Sequence, residues 1–212
     1  MRYLSLICWL TFSLSNLPGQ AADAAALNTD IIRIARSFKD GGGYNTAWKG
    51  TGTAEEINFK GEKILACGDK TYCCGFTFTV VMRVAAERGL LKDKTSHEIR
   101  KFQKEWYGAT ATSAERQCQL AMKNLGIGKA ISFEEAQLGD FVQLWRTKSG
   151  HSVLFVGWVE ENGQKIGMHY RSSQPGTDGI GDATEYFTKA APGRSPLDKN
   201  RTYFCRLNPT SK

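Results

Sequence analysis

The spacing of apolar residues changes along the chain, from helical in its first two thirds to alternating in its last third, and that change predicts the architecture. Ile31, Ile32, Ile34 and Ala35 give one apolar face to a short helix, Asp30–Phe38, capped by Asn28 or Thr29 and ended by Gly41-Gly42-Gly43. From there to about Lys70 the sequence is Gly-rich without a period, which reads as a long surface excursion able to wall a groove. In Thr71–Leu91 helical spacing returns: Phe76, Val80, Val81, Val84 and Ala85 share a face, Thr71 is placed to cap the start, and Gly89 supplies a left-handed stop behind Arg88. Ser96–Tyr107 and Ser113–Leu125 read as two further amphipathic helices, joined through Gly108–Thr112, the second closed by Gly126 and Gly128.

After the turn Leu138-Gly139-Asp140 the text becomes strands: Phe141–Arg146, His151–Glu160, Lys165–Ser173 and Arg201–Leu207. Lys148-Ser149-Gly150 is a tight turn, Glu161-Asn162-Gly163 a hairpin turn of the Asn-Gly kind, and Gln174–Asp182 a Gly/Pro loop. Helices followed by an antiparallel meander define an α+β fold, with the Thr71–Leu91 helix packed against the sheet. No internal repeat is present.

Composition changes this picture at the N-terminus. Arg2, the apolar run Tyr3–Leu14 and the small residues of Pro18-Gly19-Gln20-Ala21-Ala22 read as a secretory signal peptide over residues 1–22, cleaved after Ala21 or Ala22, with Ala24 a further position. The expectation is an exported protein, periplasmic or extracellular, whose mature domain is 23–212. Nothing after the leader is long and apolar enough to span a bilayer. Losing the leader removes one Arg and no acid, so the formal charge of +7 becomes +6. A basic exported protein is drawn to polyanions such as acidic glycopeptide and lipid surfaces. Its Lys and Arg are dispersed and not gathered on one helix or loop, which argues against nucleic acid as a partner. Oligomeric state is not legible.

Five cysteines remain: Cys67, Cys73, Cys74, Cys118 and Cys205. An odd number in an oxidising compartment leaves one thiol free within a chain; the other four allow zero, one or two disulfides. No Cys-His spacing reads as a zinc site. Cys73 and Cys74 open a helix, where unpaired backbone N–H groups favour a thiolate. A nucleophilic thiol needs a base, and the base an orienting partner. Of three histidines, His97 lies in a Lys/Glu/Arg-rich helix and reads as a surface residue, whereas His151 opens a strand after a glycine turn and His169 lies within the next strand. Ile166, Met168 and Tyr170 alternate with Lys165, Gly167, His169 and Arg171. Taking the first set as the face toward the cysteine helix points His169 away and extends the stripe to Ser172 and then Gln174, beside His151. Tyr72 or Trp145 are candidates to shape the mouth of a groove.

The blocks Cys73-Cys74-Gly75-Phe76, Leu138-Gly139-Asp140-Phe141 and Gly150-His151-Ser152-Val153 resemble the papain-like cell-wall hydrolases, the NlpC-type peptidases and CHAP amidases, in order and in secondary structure over about half the chain. The usual text there is Cys-Ser-Gly-Phe, then Gly-Asp before a strand, then Gly-His opening the next. The resemblance implies a papain-like domain, Cys73 as nucleophile with Cys74 in the customary serine position, and His151 as base. It implies amide or peptide cleavage in bacterial peptidoglycan or its stem peptides, without metal or organic cofactor. The third catalytic position, which varies in these families, falls on Ser172, with Gln174 and His169 behind it. A non-catalytic envelope-binding module of the same fold, or thiol chemistry on another substrate, are the competing readings.

Overall fold

A computed structural model describes residues 18–190 and 195–209; the apolar run Tyr3–Leu14 lies outside them. The first described helix, α1 (Pro18–Ser37), starts well before the expected Asp30 and runs through the expected cleavage positions. The Ala-rich segment ahead of Asp30 has strong helix propensity but no apolar period to reveal it. Ile31, Ile34 and Ala35 are buried as expected, and α1 is tied to α2 (Cys73–Glu87) by the ion pair of Asp30 with Arg88. Helices α3 (Ser96–Trp106) and α4 (Gln117–Leu125) follow; residues 113–116, expected to begin the last helix, form turns instead. Gly126 does end α4 in a left-handed conformation (φ 76°). Gly128 opens a strand and closes no helix.

Seven antiparallel strands form one sheet in the order β1 (Gly41–Gly42), β8 (Gly179–Tyr186), β7 (Gln164–Gln174), β6 (Gly150–Glu161), β5 (Phe141–Trp145), β9 (Thr202–Leu207), β4 (Gly128–Ile131). A separate hairpin pairs β2 (Ile57–Phe59) with β3 (Glu62–Leu65). The fold is therefore α+β, with four described helices and an antiparallel sheet. The meander β5–β6–β7 and the Asn162-Gly163 turn follow expectation, both turn residues having positive φ. Two irregular stretches hold more structure than expected. The Gly-rich excursion contains the β2–β3 hairpin, turning at Lys60-Gly61, and the Gln174–Asp182 loop reverses in one short 3-10 turn before β8 begins.

The sheet is buried on both faces. Helices α2 and α4 cover one face, α2 over β6 and β7 and α4 over β5, β9 and β4; this face carries Phe141, Leu154, Ile180, Cys205 and Leu207. Met168 and Tyr170 point the other way, into a second cluster with Val142, Leu144, Val153, Phe155 and Phe204. This corrects the expectation that the Ile166–Met168–Tyr170 stripe meets the cysteine helix. Arg171, on the opposite parity, turns toward the helices: its guanidinium donates to Ala35 O (3.1 Å) and Phe38 O (3.2 Å) at the C-terminal end of α1, where a positive charge is favoured.

Candidate active site

The site is built where α2 meets the open end of the β6–β7 pair. Backbone pairing between these strands reaches Leu154↔Arg171 and goes no further toward that end. Beyond it the Ser172 hydroxyl, not a backbone N–H, donates to Ser152 O (2.6 Å), and the Thr71 and Ser173 hydroxyls share a 2.7 Å hydrogen bond. Thr71 is thus committed to the sheet and does not cap the helix; the N-cap is Tyr72, without a side-chain cap. These contacts hold the first turn of α2 against the beginning of β6.

The motif glycine has a direct steric reason. A Cβ on Gly75 would stand 2.2 Å from Gly52 O, because the excursion crosses the first helical turn there. The same strap receives the Tyr72 N–H at Gly52 O (3.3 Å) and gives the Ala54 N–H to Thr79 Oγ1 (3.1 Å). Gly75→Ala is expected to destabilise the fold by about 1–3 kcal/mol, since backbone and no flexible side chain must yield; urea unfolding of the purified variant measures it.

Cys73 and His151 come together, and both are almost fully buried where they line a cleft. The Cys73 thiol is held well below the usual thiol range. The largest cause is a hydrogen bond from the Cys74 side chain; burial opposes it, and the His151 charge, the His151 ring and the Ser152 backbone N–H add to it. The Cys74 thiol is correspondingly pushed well up, by its bond to Cys73 and by burial. His151 acts on Cys73, and its charge favours the thiolate at that sulfur. Cys74→Ser, which keeps a donor, is expected to leave Cys73 reactive at low pH, whereas Cys74→Ala shifts the midpoint of its alkylation upward; a pH series of alkylation rates on the two variants checks this.

His151 is oriented by Gln174. The ring Nε2–H donates to Gln174 Oε1 (3.2 Å), and the Gln174 amide donates in turn to Gly181 O (3.3 Å), which fixes its oxygen toward the ring. With Nε2 carrying the proton, Nδ1 is the nitrogen left to accept from the thiol. The Tyr170 ring meets the imidazole edge-on at 5.6 Å, and behind it the Tyr170 hydroxyl donates to Glu185 Oε1 (2.5 Å), which forms a buried ion pair with Arg146. Ser172, the expected third residue, makes no hydrogen bond to the histidine. Its hydroxyl is consumed by Ser152 O, because that strand splay has to be bridged. His169 is exposed on the sheet with Nδ1 at 2.7 Å from Thr184 Oγ1, and His97 is exposed on α3, so neither enters the site.

The cleft has a volume of about 480 Å³. Trp48, Tyr72 and Tyr107 line it as one contiguous aromatic row, and Trp145, Gly150, Gln117, Gln143 and Ser152 complete its lining with the two cysteines and the histidine. Tyr72 and Trp145 were legible as groove residues; Trp48, Tyr107 and the two glutamines were not. Burial, with the negative charge of the cysteine pair, pushes both the Tyr72 and Tyr107 hydroxyls up, so both rings stay neutral. Asp140 of the Gly-Asp block stands outside the cleft: it is buried and grips Arg206 through two bonds (2.6 and 2.7 Å), fastening β5 to β9. All five described cysteines are free thiols.

Comparison with known proteins adds no assignment: no family model, no curated protein and no solved structure matches the chain. Among the described residues no helix is long and apolar enough to cross a membrane.

Proposed function

We propose that the protein is an exported bacterial cysteine hydrolase of papain-like fold that cleaves amide bonds in peptidoglycan. The observation that carries this reading is the continuous relay of Cys73, His151 and Gln174: a depressed thiol, a histidine whose tautomer is fixed to receive its proton, and an amide that fixes the histidine. The basic charge of the chain suits an acidic, polymeric substrate.

In this mechanism Cys73 Sγ attacks the amide carbonyl carbon, with His151 holding the thiol proton at Nδ1. The carbonyl oxygen becomes an oxyanion facing the backbone N–H groups at the start of α2, whose dipole favours negative charge there. His151 then protonates the nitrogen, the C–N bond breaks, and the amine leaves a thioester on Cys73. A water molecule, giving a proton to the same imidazole, attacks the thioester; the acid departs and the thiol returns to its starting state. Gln174 does not touch the substrate. It keeps the imidazole facing the thiol as both protonation states are visited.

The roles of the two candidate orienting residues separate in kinetics. Gln174→Ala is expected to lower kcat by roughly 100-fold with little change in KM. Ser172→Ala is expected to act through stability and leave the pH profile of kcat intact. Release of soluble fragments from purified sacculi, followed for both variants across pH, is the test; the opposite pattern would return the third position to Ser172.

A further inference from the structure

We infer that the aromatic wall of the cleft is a saccharide-binding platform with Trp48 as its outermost ring, which places the amide next to a sugar at Cys73; this rests on the hydrolase reading above. Trp48 is 56% exposed, one of two large apolar residues so exposed among those described, and it lines the catalytic cleft. Its backbone is left-handed (φ 56°), a conformation that a bulky residue keeps only when its surroundings hold it. Those surroundings are specific. The Trp48 N–H bonds to Asn45 O (3.4 Å), and Asn45 Nδ2 donates to Lys49 O (2.6 Å).

The ring is then set in a row. It packs on Tyr72 at 5.6 Å with a 37° tilt, against the edge of Tyr44 at 6.0 Å, and Tyr72 continues to Tyr107 at 6.0 Å. The hydroxyls of Tyr72 and Tyr107 are both tied down, donating to Gly50 O (2.9 Å) and Thr51 O (2.7 Å), so the rings are rigid rather than adaptable. Tyr72 is itself buried, so the exposed Trp48 ring is the surface offered to a ligand; held rigid and sharing the cleft with Gln117 and Gln143, it suits a ring with an apolar C–H face and hydroxyl or acetamido substituents.

Charge selects the class. Among the described residues lining the cleft there is no Asp, Glu, Lys or Arg, although the chain as a whole is strongly basic. A stem peptide carries free carboxylates, which an uncharged lining does not pair, so the part of the substrate seated in the cleft is its uncharged sugar. The sugar flanking a lactyl–peptide amide is uncharged, because its carboxyl is consumed in that amide. Hydrolysis there adds water across the C–N bond, leaving the lactyl carboxylate on the glycan and an amine on the peptide.

Two measurements keep the platform and the hydrolase reading apart. Calorimetric titration of chitotriose into the Cys73→Ala protein reads the platform without any turnover, and mass spectrometry of products from purified sacculi reads the bond. Expected are measurable chitotriose binding, weakened about tenfold by adding Trp48→Ala, as loss of one aromatic contact gives, and largely restored by Trp48→Tyr. The sacculus products should be glycan ending in free lactyl carboxyls, with stem peptides bearing a free N-terminal amine. Undetectable chitotriose binding, or equal binding by the Trp48→Ala form, overturns the platform. Stem peptides cut internally and still joined to glycan also overturn it while leaving the hydrolase standing. Chitotriose binding with no product from sacculi supports the platform and overturns the hydrolase.

Discussion

Cys73→Ala is expected to abolish amide hydrolysis, by about 10⁴-fold or more, while leaving the melting temperature close to that of the parent protein. The size of the effect follows from covalent chemistry: without the sulfur neither the thioester nor its histidine-assisted breakdown can form. Cys74→Ala is the informative partner. Cys74 supplies the largest single contribution to the low Cys73 pKa, so its loss should slow turnover near neutrality and recover as pH rises and Cys73 ionises unaided. Fragment release from sacculi by both variants across pH distinguishes these outcomes. A dead Cys74→Ala beside an active Cys73→Ala would exchange the two roles.

The largest expected loss of stability comes from behind the histidine. Glu185 and Arg146 are both buried, joined by a 2.6 Å Nε–Oε2 hydrogen bond and a second contact, and Tyr170 donates to the same carboxylate. Glu185→Ala strands a buried guanidinium, which costs about 3–5 kcal/mol. Burial raises the Glu185 pKa, but Arg146 and Tyr170 outweigh it and hold the carboxyl below its ordinary range. A depressed folded-state pKa stabilises above the unfolded-state value, near pH 4.3 for Glu. The contribution is therefore complete above about pH 5 and drains away as acid titrates the pair. Denaturant unfolding of the parent and Glu185→Ala proteins, repeated down the pH scale, should show their gap narrowing on acidification. A gap independent of pH would mean that the ion pair contributes little.

What the sequence made legible were the elements with an unambiguous period or a turn that admits only certain residues. The α2 face, the Asn162-Gly163 hairpin and the three strands of the meander are of this kind. Alternation along β7 also separated its two faces correctly. It could not say which of them met α2, because both are buried, one under the helices and one under the Phe204 cluster. Gln174 nevertheless lay on the chosen stripe, one strand period beyond Ser172. The choice between them turned on where β6 and β7 part, and a splay of strands leaves no mark in hydropathy. Trp48 was hidden for a related reason. Its loop is ordered by Gly52 crossing the helix at Gly75, a contact made by residues without side chains. A glycine two places after a helix-opening cysteine is the one local sign that another backbone passes there.

The central claim is that Cys73 is an activated thiolate reachable through the cleft. The most direct test is iodoacetamide alkylation of the folded, non-reduced protein between about pH 4 and 9, read by peptide mass spectrometry. The account predicts selective labelling of Cys73 well below about pH 8, where an ordinary thiol is still protonated, with Cys74 unlabelled until far higher pH. A Cys73 that resists labelling across the range, or that is recovered in a disulfide, would contradict it.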